Sequence, residues 1–99
     1  MSANRSTAAP PRAPIVPIAF NLPPGFGERH AELVGEFVAW SPLPMDRDAH
    51  GGFSIVIGLE QDRRWGYRFV LDGTVTLNDP EATEYMADGT GGHVSVVRT

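Results

Sequence analysis

The chain has 99 residues, a formal net charge of −4 and no cysteine. That length makes one domain with a small, marginally stable core; the acidic balance argues against a phosphate-backbone partner, and the missing thiols exclude disulfides and thiolate metal sites. No stretch approaches the roughly 20 apolar residues of a membrane helix, and prolines at 10, 11, 14 and 17 interrupt any signal-peptide core. The expectation is therefore a soluble, cytoplasmic protein that contacts neither nucleic acid nor membrane.

Met1 to Pro14 are rich in Ser, Ala, Pro and Arg and show no apolar period, which reads as a disordered tail (1–14) ahead of one domain (15–99). All eight basic residues are Arg, a compositional bias more than a sign of anion recognition. Ile15 to Leu22 reads as a first strand. Glu28 to Trp40 is open: Ala31, Val34, Phe37 and Val38 fit a helical stripe, yet Glu28, Glu32 and Glu36 would repel along such a helix. As a strand the same stretch turns Ala31, Leu33 and Gly35 inward and Glu32 and Val34 outward.

Phe53 to Leu59 alternates cleanly, with Phe53, Ile55, Ile57 and Leu59 on one face. Arg64 to Leu71 does the same, placing Trp65, Tyr67, Phe69 and Leu71 opposite Gly66, Arg68 and Val70. Asp72-Gly73 predicts a tight hairpin with two positive φ angles, Thr74 to Leu77 a return strand, and Val94 to Val97 a last strand. Turn signals every 8 to 12 residues predict an all-β sandwich or barrel.

His30, His50 and His93 lack metal-ligand spacing. The Gly-rich stretches at 51–52 and 89–92 lack the strand-then-helix context of a phosphate loop. The acidic residues read as solvated surface and not as a glycosidase pair, so neither catalysis nor a cofactor is expected.

Several segments carry a pattern by their order: Leu33-Val34-Gly35-Glu36-Phe37-Val38-Ala39-Trp40, then Pro44-Met45, Gly52-Phe53, Tyr67-Arg68-Phe69-Val70-Leu71-Asp72-Gly73, Asn78-Asp79-Pro80 and Gly89 to Val94. From about Pro17 to Val97 this resembles carbohydrate-binding module family 48. That family includes the isoamylase N-terminal (early-set) domain and the glycogen-binding domain of AMP-activated protein kinase β subunits. The resemblance implies an immunoglobulin-like β-sandwich of seven or eight short strands, and it favours the strand reading up to Gly35, followed by a loop carrying Trp40. The expected core is Leu33, Phe53, Ile55, Ile57, Tyr67, Phe69, Leu71, Val94 and Val96, with Trp65 at its edge.

The resemblance also implies a noncatalytic module for glycogen, starch or a maltooligosaccharide, that is, an α-1,4-glucan. An indole face stacks on a sugar ring, and fixed donors and acceptors meet the hydroxyls. Trp40 matches the platform, Arg68 the basic hydroxyl binder and Thr90 a polar residue of the last loop; His93 lies beside them. Three positions depart: Val75 stands where the kinase modules carry a second Trp, Gly92 where an Asn is expected, and Asp88 where a large apolar residue precedes Gly89. These changes leave a second reading, a protein-interaction module that docks on a glucan-metabolising enzyme and has lost the sugar.

Overall fold

The computed structural model describes residues 14–26 and 29–99. The expected tail therefore falls outside the described residues except for Pro14, whose carbonyl accepts from the Gln61 amide at 2.8 Å. Among the described residues the chain is all-β, and no helix is long and apolar enough to cross a membrane.

Among the described residues nine strands form two antiparallel sheets. They are β1 (Ile15–Leu22), β2 (Ala31–Gly35), β3 (Leu43–Pro44), β4 (Asp46–Arg47), β5 (Phe53–Glu60), β6 (Arg64–Leu71), β7 (Val75–Leu77), β8 (Glu84–Ala87) and β9 (His93–Arg98). The smaller sheet runs β1-β5-β4; the larger runs β3-β2-β6-β9-β8, with β7 also paired to β6. The Asp72-Gly73 turn has φ of 50° and 72°, and the Thr74 amide donates to the Leu71 carbonyl. Thr74 thus belongs to the turn, and the return strand starts one residue later than expected.

The core lies between the sheets. Phe20, Leu22, Phe53 and Leu59 come from the smaller sheet, and Ala31, Leu33, Tyr67, Phe69 and Leu71 from the larger. Phe20 meets the Tyr67 ring edge-on at 4.9 Å between centroids, and Tyr67 meets Phe69 at 5.9 Å. Each fully buried side chain of this size contributes roughly 1.5–3 kcal/mol. Ile55 and Ile57 face the core as expected but are only partly buried.

Val94 and Val96 are buried as expected, but on the outer face of the larger sheet, apart from the cluster between the sheets. Ser95 sets the phase: it is wholly buried, its hydroxyl donates to the Tyr67 carbonyl, and it accepts from the Asp79 amide. Alternation along the strand then sends Val94 and Val96 outward. A small hydroxyl whose bonds are satisfied fits the sandwich interior, which pattern reading assigns to the larger apolar side chains.

Pro17 sits within β1, an edge strand. The bond from Gln61 to Pro14 fixes the phase of the β1–β5 ladder, so Val16, Ile18, Phe20 and Leu22 turn their backbone groups to β5. Pro17 then lies on the free side, where its missing N–H costs no ladder bond and leaves the edge poorly suited to pairing with another chain.

After β2 the chain makes one turn of 3₁₀ helix (Glu36–Val38). The Phe37 ring drops over Gly35, where a Cβ would lie 2.4 Å from it, and stacks on Phe20 at 5.4 Å. With Phe37 directed inward, Glu36 and Trp40 are left for the other side of the sheet.

Candidate functional site

The outer face of the larger sheet carries an open cleft of about 470 Å³. Met86 and Val94, which are cross-strand partners, line it. Gly66 lies beside them: a Cβ there would come within 3.2–3.3 Å of Met86, Val94 and Glu36. The loop after β2 contributes Glu36 and Trp40, β6 contributes Arg68, and the turn between β8 and β9 contributes Asp88 and Thr90.

Trp40 is 43% exposed and sits at φ 63°, directly after Ala39 at φ 53°. Left-handed backbone at non-glycine residues costs on the order of 1–3 kcal/mol each and persists only where surroundings enforce it. Here the Trp40 amide donates to the Gly35 carbonyl at 2.9 Å and the Ser41 amide to Val38 at 3.0 Å. These bonds hold a large apolar side chain half in solvent, where it gains little burial of its own.

Arg68 is held from three sides. Its Nε donates to Asn78 Oδ1 (3.2 Å), and its Nη2 donates to Asp88 Oδ2 (2.8 Å) and to the His93 carbonyl (2.7 Å). Among the described residues Nη1 has no protein acceptor. Asp88 is committed as fully. Its Oδ1 accepts from the Thr90 amide and hydroxyl and from the Gly92 amide. The Thr90 hydroxyl, then the Thr90 amide, then Arg68, hold its carboxyl well below the usual carboxylate range. The Thr90 hydroxyl thereby spends its proton on Asp88 and faces the cleft as an acceptor.

The Asn78-Asp79 pair joins this cleft to the core. Asn78 donates to the His93 carbonyl and accepts from Arg68 and from the Ser95 amide. Its neighbour Asp79 turns inward and is 8% exposed; it accepts the Tyr67 hydroxyl at 2.5 Å and the Glu81 amide at 2.8 Å. Burial first, then the Asp79 carboxylate, push the Tyr67 hydroxyl far above its ordinary range.

The structure brings Trp40, Arg68 and Thr90 to one cleft and leaves His93 out of its lining. His93 serves Arg68 through its main-chain carbonyl, and strand alternation with Val94 turns its side chain to the opposite side of the sheet. Val75 is 54% exposed and does not line the cleft. Sequence reasoning missed Glu36, Met86 and Val94. Glu36 lay in the ambiguous segment, β8 had no marked alternation, and Val94 was assigned to the core. Trp65 packs at the core edge, with Phe37 at 6.1 Å and the Arg63 guanidinium over its ring at 4.7 Å; its indole N–H is buried without an acceptor among the described residues.

No protein-family model matches this chain, and no curated protein matches it either.

Proposed function

We propose that this domain is a noncatalytic α-glucan-binding module, a relative of the early-set carbohydrate modules its sequence resembles. The observation that carries the reading is the placement of Trp40. A half-exposed indole is held at strained backbone beside a cleft that also presents Arg68 and Thr90. An indole face offers a flat apolar surface to the C–H face of a glucose ring. Arg68 Nη1 is the donor and the Thr90 hydroxyl oxygen the acceptor for ring hydroxyls.

With one platform the site is weak. A millimolar Kd corresponds to about 4 kcal/mol, and loss of a hot-spot aromatic typically removes ~2 kcal/mol or more. Titration with β-cyclodextrin and maltoheptaose, followed by amide and indole NMR, tests this. Shifts confined to Trp40, Arg68 and Thr90, abolished in Trp40→Ala, are expected. A well-dispersed spectrum without shifts at ~10 mM sugar, a concentration well above a millimolar Kd, refutes the reading.

One observation favours the second reading, a docking module for a glucan-metabolising enzyme. Most of the Arg68 donors are already spent on Asp88, Asn78 and His93. Recovery of such an enzyme with the domain, unaffected by added maltodextrin, is what that reading predicts.

A further inference from the structure

The cleft holds two carboxylates and one guanidinium, from Glu36, Asp88 and Arg68. Arg68 and Asp88 neutralise each other at 2.8 Å, and both Asp88 oxygens are occupied within the protein. The charge left over belongs to Glu36. Its Oε1 accepts from the Gly66 amide at 2.6 Å, which anchors the carboxylate against the sheet; among the described residues Oε2 accepts no hydrogen bond. The cleft thus presents a fixed, uncompensated negative acceptor beside the Trp40 indole.

We propose that Glu36 sets the ligand class of this cleft: it accepts hydroxyl or ammonium hydrogen bonds and disfavours phosphorylated or carboxylated sugars. The inference rests on the glucan-binding reading above. It assigns a residue and a selectivity that the aromatic platform does not supply, because an indole stacks on charged and neutral rings alike. A unit charge placed about 5 Å from Glu36 in a water-like dielectric lowers affinity about fourfold.

The test compares three rings at low ionic strength: β-cyclodextrin, its mono-6-phosphate and its mono-6-amino derivative, each titrated by NMR into the wild-type domain and into Glu36→Gln. Glutamine keeps the Oε1 acceptor for Gly66, so the variant retains the local fold, and its amide spectrum checks this directly. In the wild type the phosphate ring, which carries about −1.5 to −2 at pH 7, is expected to bind roughly 8- to 16-fold more weakly than the neutral ring, and the amino ring at least as tightly as the neutral one. In Glu36→Gln the three affinities are expected to converge to within about twofold, with the remaining difference set by screening. Tighter or equal binding of the phosphate ring by the wild type overturns the proposal, as does undiminished discrimination in Glu36→Gln. If the wild type binds none of the rings, the glucan reading fails and this inference fails with it; if it binds the neutral ring without discriminating, only this inference fails.

Discussion

Tyr67→Phe isolates the bond that couples the core to the site. Tyr67 is 4% exposed, and its hydroxyl donates to Asp79 Oδ2 at 2.5 Å. Phenylalanine keeps the ring contacts to Phe20 and Phe69 and opens no cavity, so the loss is that of one hydrogen bond to a buried charged group, about 1.5–3 kcal/mol. Urea unfolding followed by tryptophan fluorescence should show this loss with an unchanged slope, since the surface exposed on unfolding is the same. The alkaline limb gives a second signature. The folded-state pKa of Tyr67 lies above its unfolded value of 10.0, so the native state keeps a proton that the unfolded chain releases. Stability is full below pH 10 and falls as pH rises beyond it, by about 1.4 kcal/mol at pH 11 for one such group. The chain contains no lysine and no cysteine, so tyrosines are the only side chains whose ordinary range lies there. Tyr67→Phe removes this dependence while lowering the neutral-pH plateau. A plateau within ~0.5 kcal/mol of wild type, the range of an ordinary surface substitution, or an alkaline limb identical in both proteins, refutes the argument.

Two further outcomes complement the sugar titrations of Trp40→Ala and Glu36→Gln. Pro17→Val restores an outward N–H in the middle of edge strand β1; concentration-dependent dimerisation or aggregation is expected by sedimentation, and a variant that stays as monomeric as the wild type rules out a guarding role for Pro17. Asp88 has a folded pKa below its unfolded value of 3.8. Its contribution is present above that value and is lost only as pH falls through the lower folded one. The Asp88 side-chain carboxyl carbon should therefore still report a mostly ionised group at pH 3.8, where an unperturbed aspartate is half protonated, and Thr90→Ala should move its midpoint upward; a wild-type midpoint at or above 3.8 contradicts the assigned bonds.

The strands of the sandwich were legible where one face alone is apolar. The expected strands at Phe53 to Leu59 and Arg64 to Leu71 form as their period of two predicts, the first extended by Glu60, and Asp72-Gly73 takes two positive φ angles. The 36–40 loop was not legible in the residue pattern, because its stripe of apolar residues fits a helix and a strand equally well; the resemblance alone favoured a strand up to Gly35 and then a loop, and the structure has that order. What resolves it is Phe37, which enters the core edge against Phe20 and Trp65 and converts the stretch after Gly35 into a single 3₁₀ turn.

The amino-acid sequence by itself determined the all-β class, the hairpin and the inward faces of β5 and β6, because those depend on side-chain period and on turn residues that act locally. Only the tertiary structure decided that the larger sheet buries apolar side chains on both faces, because that depends on Ser95 satisfying its hydroxyl inside the sandwich and turning Val94 outward. The cleft follows from the same long-range pairing. Glu36 meets Gly66 across 30 residues, and Arg68 meets Asp88 across 20 and His93 across 25. Such separations carry no local signal; the contacts form because the β2–β6 and β6–β9 registers bring those backbones together.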